Sequence, residues 1–191
     1  MNFKTKDMIL VALFAALTAI GGFINIKVYA VPLTLQLFFC SFAGILLGAR
    51  LGMMSQLIYV MVGLIGIPVF VYGGGPAYVL NPTFGYLIGF IVAAYVMGKI
   101  VETFKELSFI SMIISVMTGF VIAYAIGIPY FYAIYNFYLG KSLPFLKSIT
   151  MMTPYMVKDL ILAFVVALTA WRVLPILRST GIVPAPKKIS A

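Results

Sequence analysis

The stretch Leu51–Tyr86, LGMMSQLIYVMVGLIGIPVFVYGGGPAYVLNPTFGY, joins two kinds of sequence that rarely meet. Its first part, Leu51–Phe70, is an apolar run without a single charge. A helix needs about 20 such residues to cross a bilayer. Its second part, Val71–Tyr86, holds three consecutive glycines, two prolines, three tyrosines and an asparagine, again without charge. Irregular backbone near membrane depth is tolerated only where protein or a water-filled cavity covers it. The stretch therefore predicts a span followed by a segment folded over a cavity.

The rest of the chain agrees. Of its 191 residues 64% are hydrophobic and 9% charged, whereas a soluble domain carries roughly 25% charged residues. The mean hydropathy is +1.16. Six apolar runs are candidate spans: Met8–Ile26, Val31–Leu47, Leu51–Phe70, Thr83–Lys99, Leu107–Tyr138 and Pro154–Arg178, the second and fourth being short for a full crossing. They lack the alternation of a lipid-facing barrel. The expected fold is an all-α integral membrane protein, a bundle of six transmembrane helices in one domain over 1–191. A short mobile tail is expected from about residue 180 to 191. Pro129 lies well inside the fifth run, where a break or kink is expected.

Charge sets the orientation. With the N-terminus inside, Lys4, Lys6, Arg50, Lys99, Lys105, Arg172, Arg178, Lys187 and Lys188 face the cytoplasm. Lys27, Lys141 and Lys147 face outward, and Lys158 falls within the last span. The positive-inside rule selects this N-in, C-in arrangement. The net charge of +9 then follows from topology and anionic lipid, with no nucleic acid implied. The glycine-rich segment lies outside, with the connections around Lys27–Gln36 and Gly140–Thr153.

Chemistry is sparse. The chain has no His and one Cys, which leaves no metal site built on those ligands. No GxxxxGK[ST] phosphate loop occurs, so any uphill work draws on a partner or an ion. Little remains for acid–base or nucleophilic catalysis, and no enzyme is expected. Asp7, Glu102 and Glu106 sit beside lysines at the inner surface, as solvated interface residues. Asp159 is different: it falls about five residues, roughly 8 Å, inside the sixth run. An ionisable residue there normally faces the bundle interior and a partner. Adjacent helix positions point about 100° apart, so no pairing with Lys158 is expected, and Lys158 is expected to snorkel outward. Asn81 and Gln36 add amides. Gly73, Gly74 and Gly75 allow close approach of a ligand, and Tyr72, Tyr78 and Tyr86 offer flat faces with polar tips. Tyr130, Tyr132, Tyr135 and Asn136 form a second aromatic cluster, for which an interfacial belt is an equal explanation. A pocket of this kind suits a small, largely neutral molecule bearing N–H groups. In the first run Ala12/Ala16 and Ala15/Ala19 are spaced four apart, a small-residue face on which another helix can dock. Gly44/Gly48 and Gly85/Gly89 repeat the spacing, and internal packing is preferred for them.

The segments VPLTLQ (Val31–Gln36), LLGARLGMMSQLIYVMVGLIGIPVF (Leu46–Phe70), GGGPAYVLNPTFGYLIGF (Gly73–Phe90), GIPYF (Gly127–Phe131) and PYMVKDL (Pro154–Leu160) resemble the BioY family in order and spacing. These are biotin-binding S-components of energy-coupling factor transporters in prokaryotic cell membranes. The resemblance implies a multi-pass S-component that captures biotin from outside, with no cofactor. It implies partnership with a transmembrane coupling protein and two ABC-type ATPases, which matches the missing phosphate loop. The alanine spacing in the first run is similar to the docking surface of such components. The resemblance gives Asn81 and Asp159 the ureido ring, the tyrosines and glycines the rest of the ligand, and Lys158 the carboxylate. Relatives often carry a lysine three positions after the aspartate; here that position is Leu162. An S-component for another vitamin, or an ion-coupled secondary transporter of a small neutral solute, stands as the alternative.

Overall fold

In the computed structural model, residues 4–27, 32–104 and 107–183 are described. Lys105, Glu106, Lys187, Lys188 and most of the expected tail lie outside them. Among the described residues six α-helices follow one another: α1 Thr5–Phe23, α2 Gln36–Leu47, α3 Ala49–Leu64, α4 Phe84–Thr103, α5 Phe109–Ala133 and α6 Phe145–Ser179. Four of them, α1, α4, α5 and α6, are long and apolar enough to cross a membrane. At 12 and 16 residues, α2 and α3 extend about 18 and 24 Å, short of a 30 Å hydrocarbon core.

Lipid tails give no hydrophobic drive for helices to associate, so contacts rely on van der Waals fit and small residues. The centre of this bundle follows that rule. A side chain at Gly44 would meet the Ala94 carbonyl at 2.7 Å, and one at Gly98 would strike the backbone of Gly48 and Ala49. Backbones of α2, α3 and α4 thus lie against one another, with Cys40, Ala43, Ala93, Ala94 and Met97 wholly buried between them. The Cys40 thiol donates to the Phe90 carbonyl at 3.3 Å, as a small core residue.

Two connections fold over one end. Asn25–Lys27 (β1) and Pro32–Thr34 (β2) pair antiparallel, with Ile26 opposite Leu33. Between α3 and α4, Gly73 and Gly75 take φ of +106° and +105°, a region closed to most side chains. Phe70 and Gly73 exchange backbone hydrogen bonds there, and a 3-10 turn spans Pro76–Leu80. The Tyr130 hydroxyl, from α5, donates to the Val79 carbonyl and ties this segment down.

The structure corrects several expectations. Helix α5 runs unbroken through Pro129, and the irregularity falls later, as a π turn at Ile134–Tyr138. A membrane helix absorbs a lost hydrogen bond by such local adjustment. Helix α6 begins at Phe145, nine residues before Pro154. Its first turn follows Pro144, whose fixed φ suits the position before a helix. Glu102 is no solvated surface residue, because its Oε1 accepts the Ala49 N–H at 2.8 Å. It neutralises the exposed N–H groups and positive dipole end of α3. Ala15 and Ala19 are buried against the bundle, whereas Ala12 and Ala16 are exposed. Of the four alanines expected on a docking face, Ala12 and Ala16 are the two left on the surface of α1.

Candidate functional site

The capped end holds an open cavity of about 620 Å³, counted with the solvent at its mouth. The hairpin contributes Pro32 and Thr34, α2 contributes Gln36, and the loop before α4 contributes Val71, Tyr78 and Thr83. Tyr86, Leu87 and Phe90 of α4, Tyr124 of α5, and Met152, Tyr155, Lys158 and Asp159 of α6 complete the wall.

Asp159 is the electrostatic centre. It lies fourteen residues along α6, about 21 Å from the helix start, and is 8% exposed. Its Oδ2 accepts the Tyr124 hydroxyl at 2.7 Å. Its Oδ1 lies 2.6 Å from the Lys158 ammonium, contrary to the expectation that neighbours would point apart. The lysine stem is long enough to curl round the helix to the same side, where a buried carboxylate needs a partner. The same ammonium donates to the Thr34 carbonyl, so Lys158 joins α6 to the hairpin instead of snorkelling to the headgroups.

Other polar groups are fixed in turn. Gln36 donates to the Tyr59 hydroxyl at 2.6 Å, and its Oε1 accepts the Thr34 hydroxyl at 3.2 Å. The Tyr78 and Thr83 hydroxyls are 3.2 Å apart. Burial raises the Tyr78 phenol above its ordinary pKa, against the opposing effect of Thr83. The Tyr86 hydroxyl is buried in the cavity wall without a hydrogen-bond partner among the described residues.

Of the residues expected to form a site, Gln36, Tyr78, Tyr86, Lys158 and Asp159 line one cavity. Gly73, Gly74 and Gly75 are not among its lining residues. A side chain on Gly74 would run into the carbonyls of Gly63 and Ile67, so the glycines pack the loop onto the end of α3. Asn81 lies between two lining residues, with its Oδ1 accepting the Thr83 N–H at 3.0 Å and hydroxyl at 2.8 Å. This is the turn that starts α4. Sequence reasoning missed Tyr124, Tyr155 and Thr34. A tyrosine amid the apolar FVIAYAIG of α5 was the available signal, since a buried phenol seeks a partner. In the second aromatic cluster, Asn136 exchanges hydrogen bonds with the Leu143 backbone and fixes the turn into α6.

Comparison with known proteins places this arrangement. The chain matches the BioY family over residues 1–179. It belongs to the BioY family. A probable biotin transporter BioY of Lysinibacillus sphaericus is 43% identical over 184 residues, covering 92% of this chain and 90% of that protein. The biotin transporter BioY of Thermotoga maritima is 36% identical over 169 residues, covering 87% and 95%. Among solved structures, the S-component for biotin from an ECF-type ABC transporter superposes with a TM-score of 0.75. It is 25% identical, and the match covers 90% of this chain and 94% of that one. This BioY chain is thus a membrane transport component, not an enzyme.

Proposed function

We propose that this protein is the biotin-capturing S-component of an energy-coupling factor transporter, taking the vitamin from the extracytoplasmic side. The observation that carries the reading is the Lys158–Asp159 pair, set in an aromatic cavity of a BioY-family chain. Standard bond lengths put a urea oxygen and nitrogen about 2.3 Å apart. The pair, with its 2.6 Å separation, presents a donor beside an acceptor to match that edge. Lys158 donates to the ureido carbonyl, and Asp159 accepts a ring N–H. Tyr86 is the acceptor for the second N–H, while Gln36 and Tyr78 border the bicycle. This moves Lys158 from the carboxylate end of the ligand to the ureido end. The carboxylate lies toward the mouth, where the Asn81 side-chain amide is the nearby donor.

In this reading the chain is one domain of six spans, N-in and C-in, with α2 and α3 the short central pair. Its partners are a transmembrane coupling protein and two ABC-type ATPases. Ala12 and Ala16, exposed and four apart on α1, are the docking face. The test is mass spectrometry of small molecules released from the purified protein, followed by calorimetric competition among biotin, thiamine and riboflavin. Release and tight rebinding of biotin alone is expected. Preference for either other vitamin refutes the assignment, and accumulation by an ion gradient in vesicles without ATPases refutes the transporter class.

A further inference from the structure

Among the described residues that line the cavity, Lys158 and Asp159 are the two that carry charge. Asp159 is 8% exposed and the Lys158 side chain 25%. The Tyr124 hydroxyl donates to one carboxylate oxygen, and the Lys158 ammonium forms an ion pair with the other at 2.6 Å, an oxygen that otherwise has no hydrogen-bond partner among the described residues. The Lys158 ammonium is anchored again by the Thr34 carbonyl, which holds it in the cleft. A buried carboxylate by itself attracts cations, and a guanidinium fits it in a forked geometry. Here the cation's place is occupied from within the chain.

We propose that Lys158 determines specificity by charge: it makes the cleft reject ligands whose hydrogen-bonding head is cationic. The inference rests on the biotin-capture reading and deepens it. A neutral urea meets the pair without disturbing it, donating to Asp159 and accepting from Lys158. A cyclic guanidinium of the same shape lacks the acceptor that Lys158 needs. It also brings a second positive charge to hydrogen-bond distance of the first, in surroundings that screen poorly. Lys158 cannot swing away without losing both Asp159 and Thr34. The discrimination resides in one side chain, and a neutral replacement weakens it.

The probe is 2-iminobiotin, which carries a guanidinium where biotin carries urea and is cationic at pH 7. Calorimetry on the intact protein gives the affinity ratio of the two ligands. Wild-type protein is expected to prefer biotin by about a hundredfold or more. Lys158→Gln keeps a donor but no charge, and is expected to shift the ratio toward 2-iminobiotin by at least about tenfold. Lys147→Gln, an exposed change outside the cavity, is expected to leave the ratio unchanged. An unaltered ratio in Lys158→Gln overturns the inference while leaving biotin capture standing. Should that variant fail to fold, the wild-type ratio still decides, and affinities within about threefold overturn the inference. Wild-type protein that binds neither ligand overturns the biotin reading and this inference with it.

Discussion

Replacing Asp159 by Asn keeps the shape of the side chain and removes its charge. In the free protein Asp159 holds two partners, Tyr124 at 2.7 Å and Lys158 at 2.6 Å. Stranding one member of a fully buried pair costs about 3–5 kcal/mol. Lys158 keeps Thr34 and is a quarter exposed, so the loss of stability here is about 1–2 kcal/mol. Binding loses more in proportion. A hydrogen bond from a ligand N–H to a carboxylate contributes about 1.5–3 kcal/mol, so Kd should rise roughly tenfold to 150-fold. Calorimetry at pH 7 with biotin measures this, and thermal unfolding in the same detergent checks the fold. Tyr124→Phe alone should weaken binding by about 1 kcal/mol, because Tyr124 acts through Asp159. In the Asp159→Asn background the same change should have almost no effect, a coupling of at least about 0.5 kcal/mol. A folded Asp159→Asn protein that binds biotin as the wild type does refutes the central role of the carboxylate. Additive effects of the two substitutions remove Tyr124 as its positioning residue.

Ala12→Trp should leave biotin affinity unchanged and abolish co-purification with the coupling protein; an intact complex moves the docking face elsewhere. Ser142→Cys should react with an impermeant maleimide from outside the cell and Thr180→Cys from inside, the native Cys40 being wholly buried; the opposite pattern inverts the topology. Glu102→Ala should destabilise the protein by about 1 kcal/mol through the lost cap on α3, seen as a lower Tm. Glu102→Gln, which still accepts the Ala49 N–H, should recover most of it.

The long helices were legible because their apolar runs are continuous, and residue types alone locate such segments. The start of α6 was not, since Lys147 and the polar Ser148 and Thr150 dilute its first turns. The helix nonetheless begins behind Pro144. Asp159 was legible as a lone carboxylate in an apolar run. Its partner was not, because a 100° offset between neighbours describes Cβ directions and not the reach of a lysine. Gly73–Gly75 signalled an irregular loop correctly. Whether such a loop faces a ligand or its own scaffold depends on tertiary contacts, here the carbonyls of Gly63 and Ile67. Burial of Ala15 and Ala19 alongside exposed Ala12 and Ala16 has the same cause. A stripe of small residues does not say which of its edges is already occupied.

The direct backbone contact at Gly44 and Gly98 gives the molecule a keel. Backbone meets backbone at those crossings, with little side chain between to take up a displacement, so α2, α3 and α4 are expected to move together. Guests of different bulk must then be accommodated from above, by the hairpin and the glycine loop, while the floor beneath them keeps a single shape.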